Sequence, residues 1–227
     1  MIADFFAGRC NAVTINLTNI DERRNFAVNG DCLFILPVYN GAIPAVCRQY
    51  IKNLDGEAKS AYIICVYGGV YRGKALQNAA GLLKNCGFTP LRGAYIAAPH
   101  TYCKKKLNLL DENRINSIYQ KFFDFKNGEK MSISAKPVGR DKQAVLKKLT
   151  GKCVVNKNCN GCGQCINVCP VNAIDSDYKS NKNCILCGAC VKICVCRARR
   201  IKFFTPLPAF FIKAKCKLRE DNYFNFV

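Results

Sequence analysis

Two runs of four cysteines are the residues of this chain with the clearest capacity for chemistry. Both runs read C-x2-C-x2-C-x3-C, and the second follows the first at a uniform offset of 25 residues. They are Cys159, Cys162, Cys165 and Cys169, then Cys184, Cys187, Cys190 and Cys194. Cysteine thiolates at this spacing are typical ligands of [4Fe-4S] clusters. Residues between the cysteines repeat at the same offset, which indicates two copies of one small unit. The sequence therefore predicts two cubane clusters.

The fourth cysteine of each run lies too far along the chain to complete the same cluster comfortably. In proteins with two clusters this cysteine binds the other cluster, so we expect crossed ligand sets. Gly163 and Gly188, within the runs, would let the backbone come close to the inorganic core. The first cluster would be bound by Cys159, Cys162, Cys165 and Cys194, and the second by Cys184, Cys187, Cys190 and Cys169.

Zinc and disulfides are the competing interpretations of these cysteines. Structural zinc sites take their four ligands as two pairs with a longer gap, which leaves a third closely spaced cysteine in each run unexplained. Disulfides need an oxidising compartment, and the chain opens without the charged and apolar regions of a secretory signal. We therefore expect reduced thiols and a cytoplasmic protein. Four further cysteines in or beside apolar stretches should behave as small buried hydrophobes, namely Cys32, Cys47, Cys65 and Cys86.

The elements before the cysteine runs must form a larger domain. Of the 227 residues, 50% are hydrophobic, enough for one medium and one small domain. Short apolar runs at 12–17, 33–38, 61–67 and 93–97 read as strands, and segments of helical period lie at 43–54 and 74–86. This alternation predicts a parallel sheet in a doubly wound α/β domain. The chain contains no run of 18 apolar residues, so we expect no ordinary transmembrane helix.

A flavodoxin-like half followed by a bacterial-type two-cluster ferredoxin resembles the fused flavodoxin–ferredoxin family of anaerobic bacteria and archaea. The resemblance covers residues 1–103 and 150–202 and rests on the cysteine runs and on the segments 37–39 and 67–69. It implies electron transfer through two clusters and a flavin mononucleotide (FMN) held between two loops. Tyr39, Asn40 and Gly41 would line one side of the flavin, and Tyr67, Gly68, Gly69 and Tyr71 would line the other.

The chain departs from this family at its start. A flavodoxin opens with a strand and a Ser/Thr-rich loop that binds the flavin phosphate at a helix N-terminus. Residues 2–10 here resemble the helix after that loop. The expected fold is therefore α/β, with a flavodoxin-like parallel sheet that is incomplete because its first strand is missing, plus a small α+β two-[4Fe-4S] ferredoxin-like domain. The missing phosphate loop argues against FMN binding.

The missing strand would lie inside the sheet, in the order 2-1-3-4-5, and would leave open edges on its two neighbours. The strand predicted at 12–17 could pair with the next strand or detach. We favour a third explanation, a truncated product or a misplaced start. The predicted domains are a partial flavodoxin-like domain at 1–103, a helical linker at 104–149, the ferredoxin domain at 150–202 and a basic, aromatic tail at 203–227.

The chain is strongly basic, with 35 Lys and Arg against 15 Asp and Glu. Such a surface favours a redox partner protein with an acidic face. Nucleic acid is not an expected partner, because no helix-turn-helix, zinc finger or RNA-binding aromatic signature accompanies the charge. His100, the only histidine, is expected to be a hydrogen-bonding loop residue.

Electron transfer is the function that the sequence favours, and an electron carrier is favoured over an enzyme that converts a substrate. We find no paired nucleophile and base and no phosphate-binding loop. Two alternatives stay open. One is a flavin-dependent oxidoreductase that uses the clusters as an internal electron relay, and the other is a binding or sensing protein with structural clusters.

Overall fold

The computed structural model describes residues 2–17, 28–102, 112–123, 150–215 and 224–226. Residues 2–17, 28–100, 112–123 and 224–226 belong to one compact unit, and residues 101–102 and 150–215 to a second. In chain order the elements are α1 (Ile2–Cys10), β1 (Cys32–Pro37), α2 (Ala45–Ile51), β2 (Ser60–Tyr67), α3 (Ala75–Asn85), β3 (Thr89–Ala97), α4 (Glu112–Phe123), β4 (Gly151–Val155), α5 (Gln164–Asn167), α6 (Ala189–Ile193), β5 (Arg199–Phe203), α7 (Leu207–Lys215) and β6 (Phe224–Phe226).

The first unit is built on a sheet with the strand order β1-β2-β3-β6. The first three strands are parallel, and β6 pairs with β3 in the antiparallel sense. Successive side chains of a strand point to opposite faces of the sheet. On β2, Ile63 and Cys65 accordingly join one apolar cluster while Ile64 joins another. A mixed α/β unit with a parallel sheet is therefore confirmed.

Helices cover both faces of this sheet. On one face, α2 and α3 contribute Cys47, Ile51 and Leu76 to the same apolar cluster as Ile63. On the other, Phe6 of α1 and Phe122 of α4 pack with Ile64. Because both faces are covered, the central strand can consist almost entirely of apolar residues.

The strand predicted at 12–17 is wrong. These residues form no strand, and Val13 is 85% exposed. A strand needs a neighbour for its backbone N–H and C=O groups, and among the described residues β1 pairs only with β2. No described strand lies beside residues 12–17, and the Ala12 N–H donates instead to the Ala7 carbonyl of α1.

Part of the helical linker predicted at 104–149 is described as α4, which packs on the sheet with Ile115, Ile118 and Phe122 buried. The rest of that linker, residues 104–111 and 124–149, lies outside the described residues.

The second unit repeats one small pattern twice. Two short helices, α5 and α6, each follow a glycine in the left-handed conformation, Gly163 at φ 73° and Gly188 at φ 77°. Strands β4 and β5 form an antiparallel pair beside them. The turns that begin the two runs also match, because Asn158 and Asn183 each donate a backbone N–H to the Oδ1 of the asparagine two residues earlier, both at 2.9 Å. The fold thus carries the 25-residue repeat of the sequence.

The second unit ends in α7, on which Leu207 and Phe210 are both 69% exposed. Among the residues that the structure describes, no helix is sufficiently long and apolar to span a lipid bilayer.

Candidate metal centre

Two cavities in the second unit are lined by the cysteine runs. The space in each that a water molecule could occupy is about 20 Å³. The cysteines of the predicted first ligand set line one of them, here called the first cavity: Cys159, Cys162, Cys165 and Cys194. Those of the predicted second set line the other, the second cavity: Cys169, Cys184, Cys187 and Cys190. Each cavity thus combines three cysteines of one run with the fourth cysteine of the other.

These cysteines surround space instead of converging on a point. Among the described residues, no group of three or more His, Cys, Asp or Glu side chains is arranged to hold a single metal ion. The left-handed Gly163 and Gly188 turn the chain sharply between the second and third cysteine of each run. As a result, the third cysteine begins a short helix and is buried, as Cys165 in the first run and as Cys190 in the second.

The fourth cysteine of each run accepts a backbone hydrogen bond. The Ala173 N–H donates to Cys169 Sγ over 3.2 Å, and the Ala198 N–H donates to Cys194 Sγ over 3.3 Å. Both donors lie four residues after their acceptor, at matching positions of the repeat. Hydrogen bonds to a ligating sulfur stabilise its negative charge and influence the reduction potential of a cluster.

A buried arginine lies against the first cavity. Arg199 is 4% exposed, and its Nη2 donates to Cys165 Sγ over 3.4 Å. Its Nη1 lies 3.3 Å from Ser180 Oγ and 3.9 Å from Cys153 Sγ, and Nη2 also donates to the Tyr178 carbonyl. A charged side chain this deeply buried is rare without compensating negative charge. A cluster bound by thiolates would supply that charge.

The second cavity has its own buried thiol contact. Cys153 Sγ lies 3.5 Å from Cys190 Sγ, and both side chains are buried. Burial raises the pKa of Cys187, another thiol of this cavity. Iron must therefore displace protons from these thiols when it binds, since only the thiolate is a ligand.

The residues of both cavities fit an iron–sulfur cluster. The donors are thiols, which suit iron–sulfur clusters. Arg199 Nε is buried and has no hydrogen-bond partner among the described residues, so this N–H is available to an acceptor in the first cavity. Two tyrosines tie the loops of the runs in place: Tyr178 Oη donates to the Gly161 carbonyl over 2.6 Å, and Tyr102 Oη donates to the Leu186 carbonyl.

The loops predicted to hold flavin lie at the carboxyl ends of β1 and β2. Tyr39 and Ala42 close a tight turn, with Asn40 at φ 51° and Gly41 at φ 77°. Tyr67 is 9% exposed, and Gly69 is left-handed at φ 71°.

The two loops touch at the point where a flavin ring would lie. A Cβ added to Gly41 would be 2.3 Å from Tyr71 Cε1 and 3.2 Å from Gly73 Cα. The ring of Tyr71 therefore covers Gly41, and no space for an aromatic ring is left between these residues. This arrangement does not fit a flavin held between the two loops.

His100 packs against one of these loops. A Cβ on Gly68 would lie 2.5 Å from His100 Cδ2, so the imidazole rests directly on the backbone there. Burial lowers the pKa of His100 below its ordinary value of 6.5. The imidazole is therefore neutral at pH 7.

Sequence reasoning missed Arg199, Tyr178 and Tyr102 as residues of the site. One signal for Arg199 was available. Position 199 matches position 174 in the 25-residue repeat, where the residue is Ile174. Ile174 is 8% exposed and lines the second cavity, so an arginine at the matching position should also face a cavity.

Comparison with protein families gives one match. Residues 151–175, which include the first cysteine run, match the model of a 4Fe-4S binding domain. Neither the search of curated proteins nor the search of solved structures found a match. The match supports a ferredoxin-type iron–sulfur domain in this part of the chain, [4Fe-4S] cluster binding and, in general terms, a role in electron transfer.

Proposed function

We propose that this protein transfers electrons through two [4Fe-4S] clusters with crossed ligand sets. Cys159, Cys162, Cys165 and Cys194 would bind the first cluster, and Cys184, Cys187, Cys190 and Cys169 the second. The ferredoxin-type domain of residues 150–202 would be joined through residues 104–149 to a partial flavodoxin-like domain of residues 1–103, with a basic tail at 203–227.

The observation that carries the proposal is the pair of cavities, each lined by four of the eight cysteines with none shared. The repeat supports it further, because the left-handed glycines and the N–H donors to Cys169 and Cys194 occur at matching positions in both runs. The family match covers the first run, and the second run has the same spacing.

A [4Fe-4S] cluster supplies reversible one-electron chemistry when bound. The protein's part is to bind the cluster and set its environment. The thiolates hold the iron, the Ala173 and Ala198 N–H groups donate to sulfur, and Arg199 adds a buried positive charge. No proton transfer is required of any of these residues. Because the Gly41–Tyr71 contact does not fit a flavin, the proposed electron transfer does not involve FMN.

The proposed partner is a redox protein with an acidic surface. On the exposed face of the β4–β5 pair, Lys152 lies directly opposite Lys202, and Arg200 is two residues along the same strand. Like charges directly opposite each other destabilise a strand pair. An acidic partner would remove that repulsion and would be attracted over a distance. We also infer a reducing compartment such as the cytoplasm, because the eight proposed ligands must be thiolates and disulfides would need an oxidising compartment.

Anaerobic preparation of the full chain tests the proposal directly. We expect about eight irons and about eight inorganic sulfides per chain, with visible and EPR signals of two cubane clusters that dithionite reduces. Clusters that resist reduction would favour the structural, sensing role. A colourless protein that contains zinc and no sulfide would refute the proposal.

A further inference from the structure

The two cavities differ at matching positions of the repeat. Adding 25 to a residue number converts a position of the first run into its counterpart in the second. Several residues that line one cavity therefore have counterparts that line the other. The first cavity is lined by polar members of these pairs and the second by apolar members, as Asn160 against Ile185, Gln164 against Ala189, Cys196 against Val171, and Arg199 against Ile174.

Exposure to solvent differs in the same direction. Asn160, Cys162 and Gln164 of the first run are exposed, whereas their counterparts Ile185, Cys187 and Ala189 are half-buried. In addition, Tyr102 donates to the Leu186 carbonyl, and a Cβ added to Gly188 would lie 2.4 Å from Thr101 Cγ2. Residues 101 and 102 thus cover the second run, within the same unit of the fold.

The largest single difference is the charge of Arg199. Its guanidinium donates to the sulfur of Cys165, a ligand of the first set, over 3.4 Å. The counterpart of Cys165 is Cys190, whose sulfur lies 3.5 Å from Cys153 Sγ and is not hydrogen-bonded to a cationic side chain of the described residues. Arg199 Nη1 also lies 3.3 Å from Ser180 Oγ and 3.9 Å from Cys153 Sγ, and both residues line the second cavity. Its charge therefore acts on the second cavity as well, but through residues outside the proposed ligand set.

These differences have one predictable effect on the electron affinity of each site. Reduction adds one negative charge to a cluster. That charge is stabilised by a nearby cation, by polar side chains and by solvent, and is destabilised by an apolar surrounding. The cation, the polar side chains and the greater exposure to solvent all occur at the first cavity, so all three favour reduction of a cluster there.

We propose that the cluster of the first cavity has the higher reduction potential, that Arg199 is the main residue responsible, and that electrons entering the protein therefore settle at the first site. This inference rests on the proposed two-cluster function and assigns a direction to it. An external one-electron donor is oxidised by one unit when it reduces either site. An electron that reaches the second site passes to the first, which is reduced by one unit while the second is reoxidised by one unit.

The test is an EPR-monitored redox titration of the full chain with both clusters bound. Cys184→Ser and Cys159→Ser identify the two signals, because each variant retains one site intact. We expect the reduction equilibrium constant of the first site to exceed that of the second at least tenfold, which corresponds to about 59 mV for one electron. Arg199→Met should lower the constant of the first site about tenfold and change that of the second site less.

Two further variants act as controls. Arg200→Met removes an exposed cation from the neighbouring position of β5, and we expect less than a threefold change at either site, because water and salt screen that charge. Arg199→Lys keeps the charge and should retain most of the difference between the sites.

The exchange Gln164→Ala with Ala189→Gln tests the same reasoning on surface-accessible positions and keeps Arg199 in place. The exchange should narrow the difference between the reduction equilibrium constants of the two sites. If Arg199→Met does not retain its clusters, this exchange variant decides whether the surroundings of the first cavity raise its reduction potential.

The inference and the proposed function fail in different ways. Equal potentials, a higher potential at the second site, or a larger effect of Arg199→Met on the second site would overturn the inference and leave two-cluster electron transfer standing. A preparation without iron and sulfide would overturn the proposed function itself.

Discussion

Paired cysteine substitutions test whether the two ligand sets cross. Each cavity is lined by four of the eight cysteines, and the two sets share no member. Cys169 belongs to the first run in sequence but lines the second cavity together with Cys184. The variants Cys169→Ser with Cys184→Ser, and Cys169→Ser with Cys159→Ser, therefore give opposite results for crossed and uncrossed ligation.

The expected magnitudes follow from the ligand sets. The intact protein should bind about eight irons, and a single substitution of any of the eight proposed ligands should leave about four, because one cluster loses a ligand. With crossed sets, Cys169 and Cys184 serve the same cluster, so their double variant should still bind about four irons. The double variant of Cys169 and Cys159 should bind almost none. Uncrossed ligation predicts the reverse pattern.

The assay is anaerobic reconstitution followed by iron and sulfide analysis. Cys10→Ser provides the control, since Cys10 is an exposed thiol of the first unit, and it should retain all the iron. Far-UV circular dichroism of every variant separates loss of a ligand from loss of the fold. The reasoning is refuted if the Cys169 and Cys184 double variant binds no iron while the Cys169 and Cys159 double variant retains one cluster.

Three more predictions concern side chains of the first unit, and the first of them uses exposed Phe210 of the second unit as its control. Phe6→Ala should lower the free energy of unfolding by about 3–5 kcal/mol in a denaturant titration, because the Phe6 side chain is 1% exposed; Phe210→Ala, at a position 69% exposed, should change it by less than about 0.5 kcal/mol. In the folded protein, maleimide should modify the exposed Cys10 but not Cys65, because Cys65 is fully buried and burial raises its pKa. Peptide mass spectrometry identifies the modified cysteine, and modification of Cys65 without Cys10 would contradict the prediction. The folded state holds His100 neutral, whereas the unfolded chain takes up a proton at this residue below pH 6.5. The contribution of His100 to the free energy of unfolding should therefore be constant above pH 6.5 and fall as the pH drops below that value. His100→Asn should remove this contribution, as measured by denaturant titrations at pH 7.5 and 5.5.

The features predicted well from the sequence depend on local patterns. The spacing of the cysteines and the apolar runs of β1 and β2 are readable without knowledge of tertiary contacts. The start of β3 was harder, because Pro90 and Arg92 interrupt the apolar run. A register shift between Ala61 and Tyr62 of β2 lets the strand begin at Thr89, four residues before the predicted start at Gly93.

The features that were missed depend on long-range contacts. Residues 12–17 have the composition of a strand, but a strand also needs a neighbour, and composition does not report one. Arg199 lies on the same face of its strand as Ile201 and Phe203, but an arginine is seldom buried, so its residue type alone places the charge in water. The contact that accompanies its burial is with Cys165, 34 residues earlier in the chain.

Among the eight cysteines of the two runs, Cys162 alone is exposed, and the others are half-buried or buried. Dioxygen and other dissolved oxidants thus meet the first cavity before the second, which is shielded by Leu186 and Tyr102. Damage in air should begin at one end of the domain and pass through a species that has lost only one inorganic centre. A preparation with half the full iron content would then be partly decayed material, instead of a sign that the protein was built for a single centre.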